Sequence, residues 1–222
     1  MSIHLTRDLE TLHRHIMSMC AIVEEVVHKS VEEVGRPDKE LSRQLVERDD
    51  EIDRWDVRIE EDCLKILALH APVANDLRRV TAVMKIGWEL ERVADLGVNI
   101  AERAIALASG PEVHPPEKLS HMAHVALDML RLGIDAFVAL DSKLARSVCS
   151  QDDMVDKLNG EIIDELIEAM HKTPALIGPL INLFSVSRHV ERVADHATNI
   201  AETVVYLVEG EIIRHNAELW KG

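Results

Sequence analysis

A twelve-residue block occurs twice in this chain, one hundred residues apart. Glu91-Arg-Val-Ala-Asp95-Leu-Gly-Val-Asn99-Ile-Ala-Glu102 returns as Glu191-Arg-Val-Ala-Asp195-His-Ala-Thr-Asn199-Ile-Ala-Glu202, with nine of twelve positions identical. Leu107 and Gly110 match Leu207 and Gly210 at the same offset. Upstream, Asp49-Asp50-Glu51-Ile52-Asp53-Arg54 is echoed by Asp152-Asp153-Met154-Val155-Asp156-Lys157 at an offset of 103, so the second copy is three residues shorter between its motifs. Two copies are too few for a solenoid, which needs at least three stacked repeats. A pair of related units is the simpler architecture.

Those units read as helical. Proline and glycine punctuate the chain at Gly35-Arg36-Pro37, His70-Ala71-Pro72, Ser109-Gly110-Pro111 to Pro116, and Lys172-Thr173-Pro174, with a polar break at Asp141-Ser142. Between the breaks, apolar residues recur in alternating steps of three and four, the mark of a helix with one buried stripe. The first segment carries Leu5, Leu9, Leu12, Ile16, Met19, Val23 and Val26, and the fourth runs from Leu119 through Gly133 to Leu140. The third and sixth stripes, Val83 to Ala108 and Leu183 to Val208, are rich in Gly, Ala and Ser. Small side chains permit close axial approach, which predicts that these two helices are central. Only 3% aromatic residues and nine glycines further disfavour an all-β fold. The expected fold is therefore all-α. Six long helices form two three-helix bundles, with residues 1–110 as the first unit and 116–222 as the second.

Charge narrows the function. The formal net charge is -15, which argues against non-specific nucleic-acid binding and disfavours docking on anionic lipid through charge. Cys20, Cys63 and Cys149 form no CxxC pair, so neither a zinc finger nor a disulfide framework is indicated. The first ten residues lack the apolar run of a signal peptide, and no stretch approaches a membrane span. A reducing, cytoplasmic setting is the expectation.

The repeated block also holds the most suggestive chemistry. On a helix, Glu91, Asp95, Asn99 and Glu102 step by four, four and three and so share a face. Asp49, Asp53, Asp56 and Glu60 do the same upstream. In the second half the faces are Glu191, Asp195, Asn199 and Glu202, and Asp152, Asp156 and Asn159. Like charges at i and i+4 repel by a few tenths of a kcal/mol. Two such faces meeting across adjacent helices call for a cation, and carboxylates with Asn are oxygen donors suited to Mg, Ca, Mn or Fe. Solvated acidic faces are the ordinary alternative. Arg92 and Arg192 temper the charge, as do the i,i+3 pairs Glu89 with Arg92 and Arg188 with Glu191. A di-iron enzyme needs Glu-x-x-His on two different helices. Glu10-x-x-His13 and Glu25-x-x-His28 both fall on the first helix, so that constellation fails. His196, next to Asp195, fits either the acidic face or solvent. No Gly-rich phosphate loop occurs, and Cys149 has no general base that would make it a nucleophile. A metal-binding bundle, whether metalloenzyme or metal buffer, stays open on the residues alone.

Pro72-x-x-x-Asp76-Leu77-Arg78, Glu91 to Asp95, and the run Arg188 to Glu202 followed by Gly210 and Arg214-His215 resemble the PhoU family of phosphate-transport accessory and regulatory proteins. The resemblance spans nearly the whole chain and implies two pseudo-symmetric three-helix bundles. It implies metal-holding pairs at Asp49 with Asp53, Glu91 with Asp95, Asp152 with Asp156, and Glu191 with Asp195, with Asn99 and Asn199 as further candidates. It implies multinuclear metal clusters, with iron among the metals and Zn, Mg or Mn as other candidates. It also implies a homodimeric, non-enzymatic negative regulator. Such a protein acts on the phosphate ABC transporter ATPase subunit and a sensor histidine kinase, and meets the membrane only through those partners. Asp-Leu-Arg has no counterpart in Thr173 to Asn182, and Asp56 is matched by Asn159. The first half is accordingly expected to bind metal more tightly.

Overall fold

The structure is a computed structural model describing residues 3–36 and 38–214. Pro37 of the first turn, His215 of the last motif, and the ends of both units at 1–2 and 216–222 lie outside the described residues. The elements are α1 (Ile3–Gly35), α2 (Lys39–Glu47), α3 (Asp49–His70), α4 (Ala74–Ser109), α5 (Glu117–Ala139), α6 (Ser142–Cys149), α7 (Asp152–Lys172) and α8 (Ile177–Glu209). A single 3-10 turn, Pro174–Leu176, leads into α8. No strand occurs among the described residues.

The six long helices are α1, α3, α4, α5, α7 and α8, the all-α architecture expected. The breaks at 35–37 and 141–142 hold more than turns, since each is followed by a short helix. Asp38 caps α2 by accepting hydrogen bonds from the backbone N–H groups of Glu40 and Leu41. Asp141 caps α6 in the same way through Lys143 and Leu144. An Asp N-cap stabilises a helix by about 1 kcal/mol, which lets such short segments form once their apolar side is covered. Leu45 of α2 and Val148 of α6 supply that side and are buried. These helices belong to the repeat too, lying at the same 103-residue offset as α3 and α7.

All seven stripe residues of α1 are buried. At their C-terminal ends the stripes of α5 and α8 emerge into solvent, Leu140 and Val208 being exposed. Leu140 also adopts the left-handed conformation that closes α5. Helices α4 and α8 lie against each other, as the small stripes predict. They run antiparallel, with Arg78 beside Gly210, Lys85 beside Tyr206, and Glu89 bonded to His196. Gly97 of α4 lets α1 come close, because a Cβ there would sit 3.1 Å from Val27 and 3.2 Å from Val26. The buried residues of both units form one continuous core. Burial pushes the thiols of Cys20, Cys63 and Cys149 up to about 12, so all three stay protonated at neutral pH. No helix among the described residues is long and apolar enough to cross a membrane.

Candidate functional site

Each half sets an acidic face of one helix against that of its neighbour: α3 with α4, and α7 with α8. The repeated motif is what aims them. Ala94 and Ala194 are buried in the core, so the residues that follow them, Asp95 and Asp195, turn toward the rim of the helix pair. Asp49 and Asp152 are the first residues of α3 and α7. The positive end of the helix dipole favours carboxylates there.

In the second half, carboxylate oxygens of Asp156, Glu191 and Asp195 lie within 4.8 Å of one another. Burial raises the Asp195 carboxyl to about 6, with Glu191, Asp152 and Asp156 adding like charge. Glu191 and Asp152 are raised as well, chiefly by burial. Asp152 lies beside this trio and accepts a hydrogen bond from the Thr198 hydroxyl at 3.2 Å. Arg188 reaches one oxygen of Glu191 at 3.1 Å. The other, Oε2, is buried with no hydrogen-bond partner.

The first half places Asp49, Asp53, Asp56, Glu91 and Asp95 close enough to feel one another. Burial is the leading cause that raises Asp49, Asp56, Glu91 and Asp95, and neighbouring carboxylates add to it. Arg92 tempers this set, its Nε 3.4 Å from Glu91 and its Nη1 3.9 Å from Asp95. Arg192 of the second half also acts on Asp95. Arginine charge from both halves thus falls on the first set, whereas in the second it comes from Arg188 on the same helix as Glu191. The carboxylates of the second half stand close enough together to share one cation.

Several sequence-level assignments change at the side-chain level. Asn99 donates to the carbonyl of Asp95 on its own helix, and Asn199 donates to Glu89. Asn159 is buried and accepts from Ser187 at 2.7 Å, so it left the acidic face for the core. Glu89 turns to His196, 2.6 Å away, instead of to Arg92. That contact joins the two halves, and His196 also lies close enough to Asp195 to act on its charge. Thr198 enters the site only in the structure. Thr198 replaces Val98 of the first copy, and a hydroxyl appearing beside a repeated acid was the signal available.

The donor set in the second half is all carboxylate oxygen, without imidazole or thiolate. That chemistry fits a hard cation, and the unpartnered buried Glu191 oxygen is the atom a cation would satisfy.

Comparison with known proteins agrees with the duplicated all-α fold. The PhoU domain matches residues 16–104 and again 119–204. The phosphate-specific transport system accessory protein PhoU homolog of Aquifex aeolicus is 37% identical over 98% of this chain and 99% of its own length. The Pseudomonas aeruginosa homolog is 35% identical over 94% of this chain and 86% of its own. Among solved structures, PhoU from Pseudomonas aeruginosa superposes with a TM-score of 0.89 at 34% identity, covering 93% of this chain and 99% of that one. The phosphate transport system regulatory protein PhoU from Streptococcus pneumoniae gives 0.87 at 28% identity, covering 94% and 98%. The domain is matched once in each half and the relatives align over almost their full length, so the chain belongs to the PhoU family.

Proposed function

We propose that this chain is an accessory regulator of phosphate-specific transport. The observation that carries the reading is the near end-to-end relationship to proteins named for that system, at 37% identity and 99% of the relative's length. A metal buffer unrelated to phosphate would not account for that relationship. The chain acts in the cytoplasm as a homodimer. It docks on the ATPase subunit of the phosphate ABC transporter and on a sensor histidine kinase, and reaches the membrane only through them. It restrains uptake and keeps the phosphate-starvation response silent when phosphate is plentiful. It does this as a binding protein and not as an enzyme. The net charge of -15 supports protein partners in preference to nucleic acid.

The acidic faces are its metal sites. Asp156, Glu191 and Asp195, with Asp152 beside them, hold one cluster, and Asp49, Asp53, Glu91 and Asp95 hold the other. Iron is the leading candidate, with Mn, Mg and Zn as alternatives. Bound cations relieve the like-charge repulsion and tie α7 to α8 and α3 to α4. The orphaned oxygen of Glu191 supports the second cluster in particular.

Co-expression of the tagged chain with the ATPase subunit and with the kinase of its source organism tests the regulatory reading. Stoichiometric retention of either partner is expected. Retention of neither, with folded chain on the column, would contradict it.

A further inference from the structure

A groove of about 480 Å³ opens where the start of α4 meets the ends of α5 and α8 and the flank of α1. Phe137 and Leu207 form an apolar wall. Arg78 and Arg79 also line the groove, with His13 and Asn75. Asp76 is the one carboxylate in the lining and leaves part of the rim unfit for an anion.

The two arginines are adjacent on α4 and both line the groove. Arg48, Arg131, Arg146 and Arg188 each hold a carboxylate at 3.1 Å or less. Among the described residues, neither Arg78 nor Arg79 has one within ion-pair distance. Arg78 donates from Nη2 to Asn75 at 2.5 Å, and its Nε is buried with no acceptor. Its Nη1 rests on Gly210, where a Cβ would sit 2.8 Å away. Arg79 lies close enough to His13 to reinforce the lowering that burial imposes on the imidazole. His13 therefore stands as a neutral N–H donor at neutral pH.

The internal repeat supplies a control. One hundred residues on, the equivalents of Arg78 and Arg79 are Gly178 and Pro179. The helix pair forms in both halves, so the fold does not require the arginine pair.

We propose that this groove is an oxyanion site for a phosphate-type dianion, either inorganic phosphate or a monoester whose organic body lies on the Phe137 wall. Guanidinium groups present planar forks of donors that match phosphate oxygens. The volume falls within the usual range for small-molecule pockets, roughly 300–1,000 Å³, and exceeds what a bare phosphate fills. The site is separate from the carboxylate clusters, since Arg79 and Asp95 are about 24 Å apart along α4 at the usual helical rise.

Calorimetric titration of the full, chelator-treated chain with inorganic phosphate and with phenyl phosphate tests this, chelation ensuring that bound metal retains no anion. Saturable binding of at least one is expected. Binding of phosphate identifies the free ion, and binding of phenyl phosphate alone identifies an ester. Arg79→Gln should weaken binding about tenfold or more, the equivalent of one charge-assisted hydrogen bond. Arg79→Lys, which keeps the charge and loses the fork, should weaken it less. Arg131→Gln, an equal change of net charge elsewhere, should leave it unchanged. No saturable binding by the wild-type chain, undiminished binding by folded Arg79→Gln, or equal loss in Arg131→Gln would overturn the proposal.

Discussion

Asp195 sets the pH behaviour of the second acidic site. Its folded value of about 6 lies above the ordinary 3.8, so between those values the folded chain holds a proton that the unfolded chain has released. Stability from this group therefore falls as pH rises through that window, with the full penalty present above about 6. In chelator, the melting temperature should decline from pH 4 to 6 on this account. Asp195→Asn should flatten that decline and raise the metal-free melting temperature at pH 7. An unchanged profile in the variant would contradict it. Cation binding has the opposite pH sense, weakening as pH falls through about 6, because ligating carboxylates must be ionised. Ser187 makes a separate case. Ser187→Ala leaves buried Asn159 without its donor, and urea unfolding should show a loss of about 1–3 kcal/mol. The acids of this site were legible as helical spacing. The departure of Asn159 into the core was not, because it depends on a serine on another helix where the first copy has Gly87.

Helix boundaries and buried stripes were the most legible features, because Gly, Pro and a three-four period act locally. The short helices α2 and α6 were not read, since eight or nine residues give too few turns for a periodic stripe. Their Asp caps were the usable signal. The small stripes of α4 and α8 correctly indicated central helices. Gly97 shows the energetic content, since its missing Cβ is the space that Val26 and Val27 of α1 occupy. Gly97→Val should cost about 1–3 kcal/mol through overpacking, read as a shift in the urea midpoint with unchanged slope. Gly35→Val, where nothing lies within 4 Å of the added Cβ, makes no such contact and serves as the comparison. Equal losses at both positions would argue against close α1–α4 packing.

At the scale of the molecule, the antiparallel α4–α8 pair makes two copies of one unit into a single core. The same pairing carries Arg192 toward Asp95 and Glu89 to His196 and Asn199. These contacts unbalance sites that the sequence repeats nearly word for word. No reading of one helix could have foreseen that, because the charge compensating one half resides on the other. Metal should therefore bind first and more tightly in the second half. Ligands that bind only the folded state stabilise it, by about 2.7 kcal/mol at one hundred times their Kd. Chelation of the loaded protein should lower its melting temperature, and Asp195→Asn should blunt that response more than Asp95→Asn does. Control of the phosphate response is the role proposed for the whole molecule. Its most direct test is a phosphate-starvation reporter in the source organism, with this gene deleted and cells grown in plentiful phosphate. The reporter is expected to come on, and the intact gene to silence it again. A reporter that stays off in the deletion strain would contradict it.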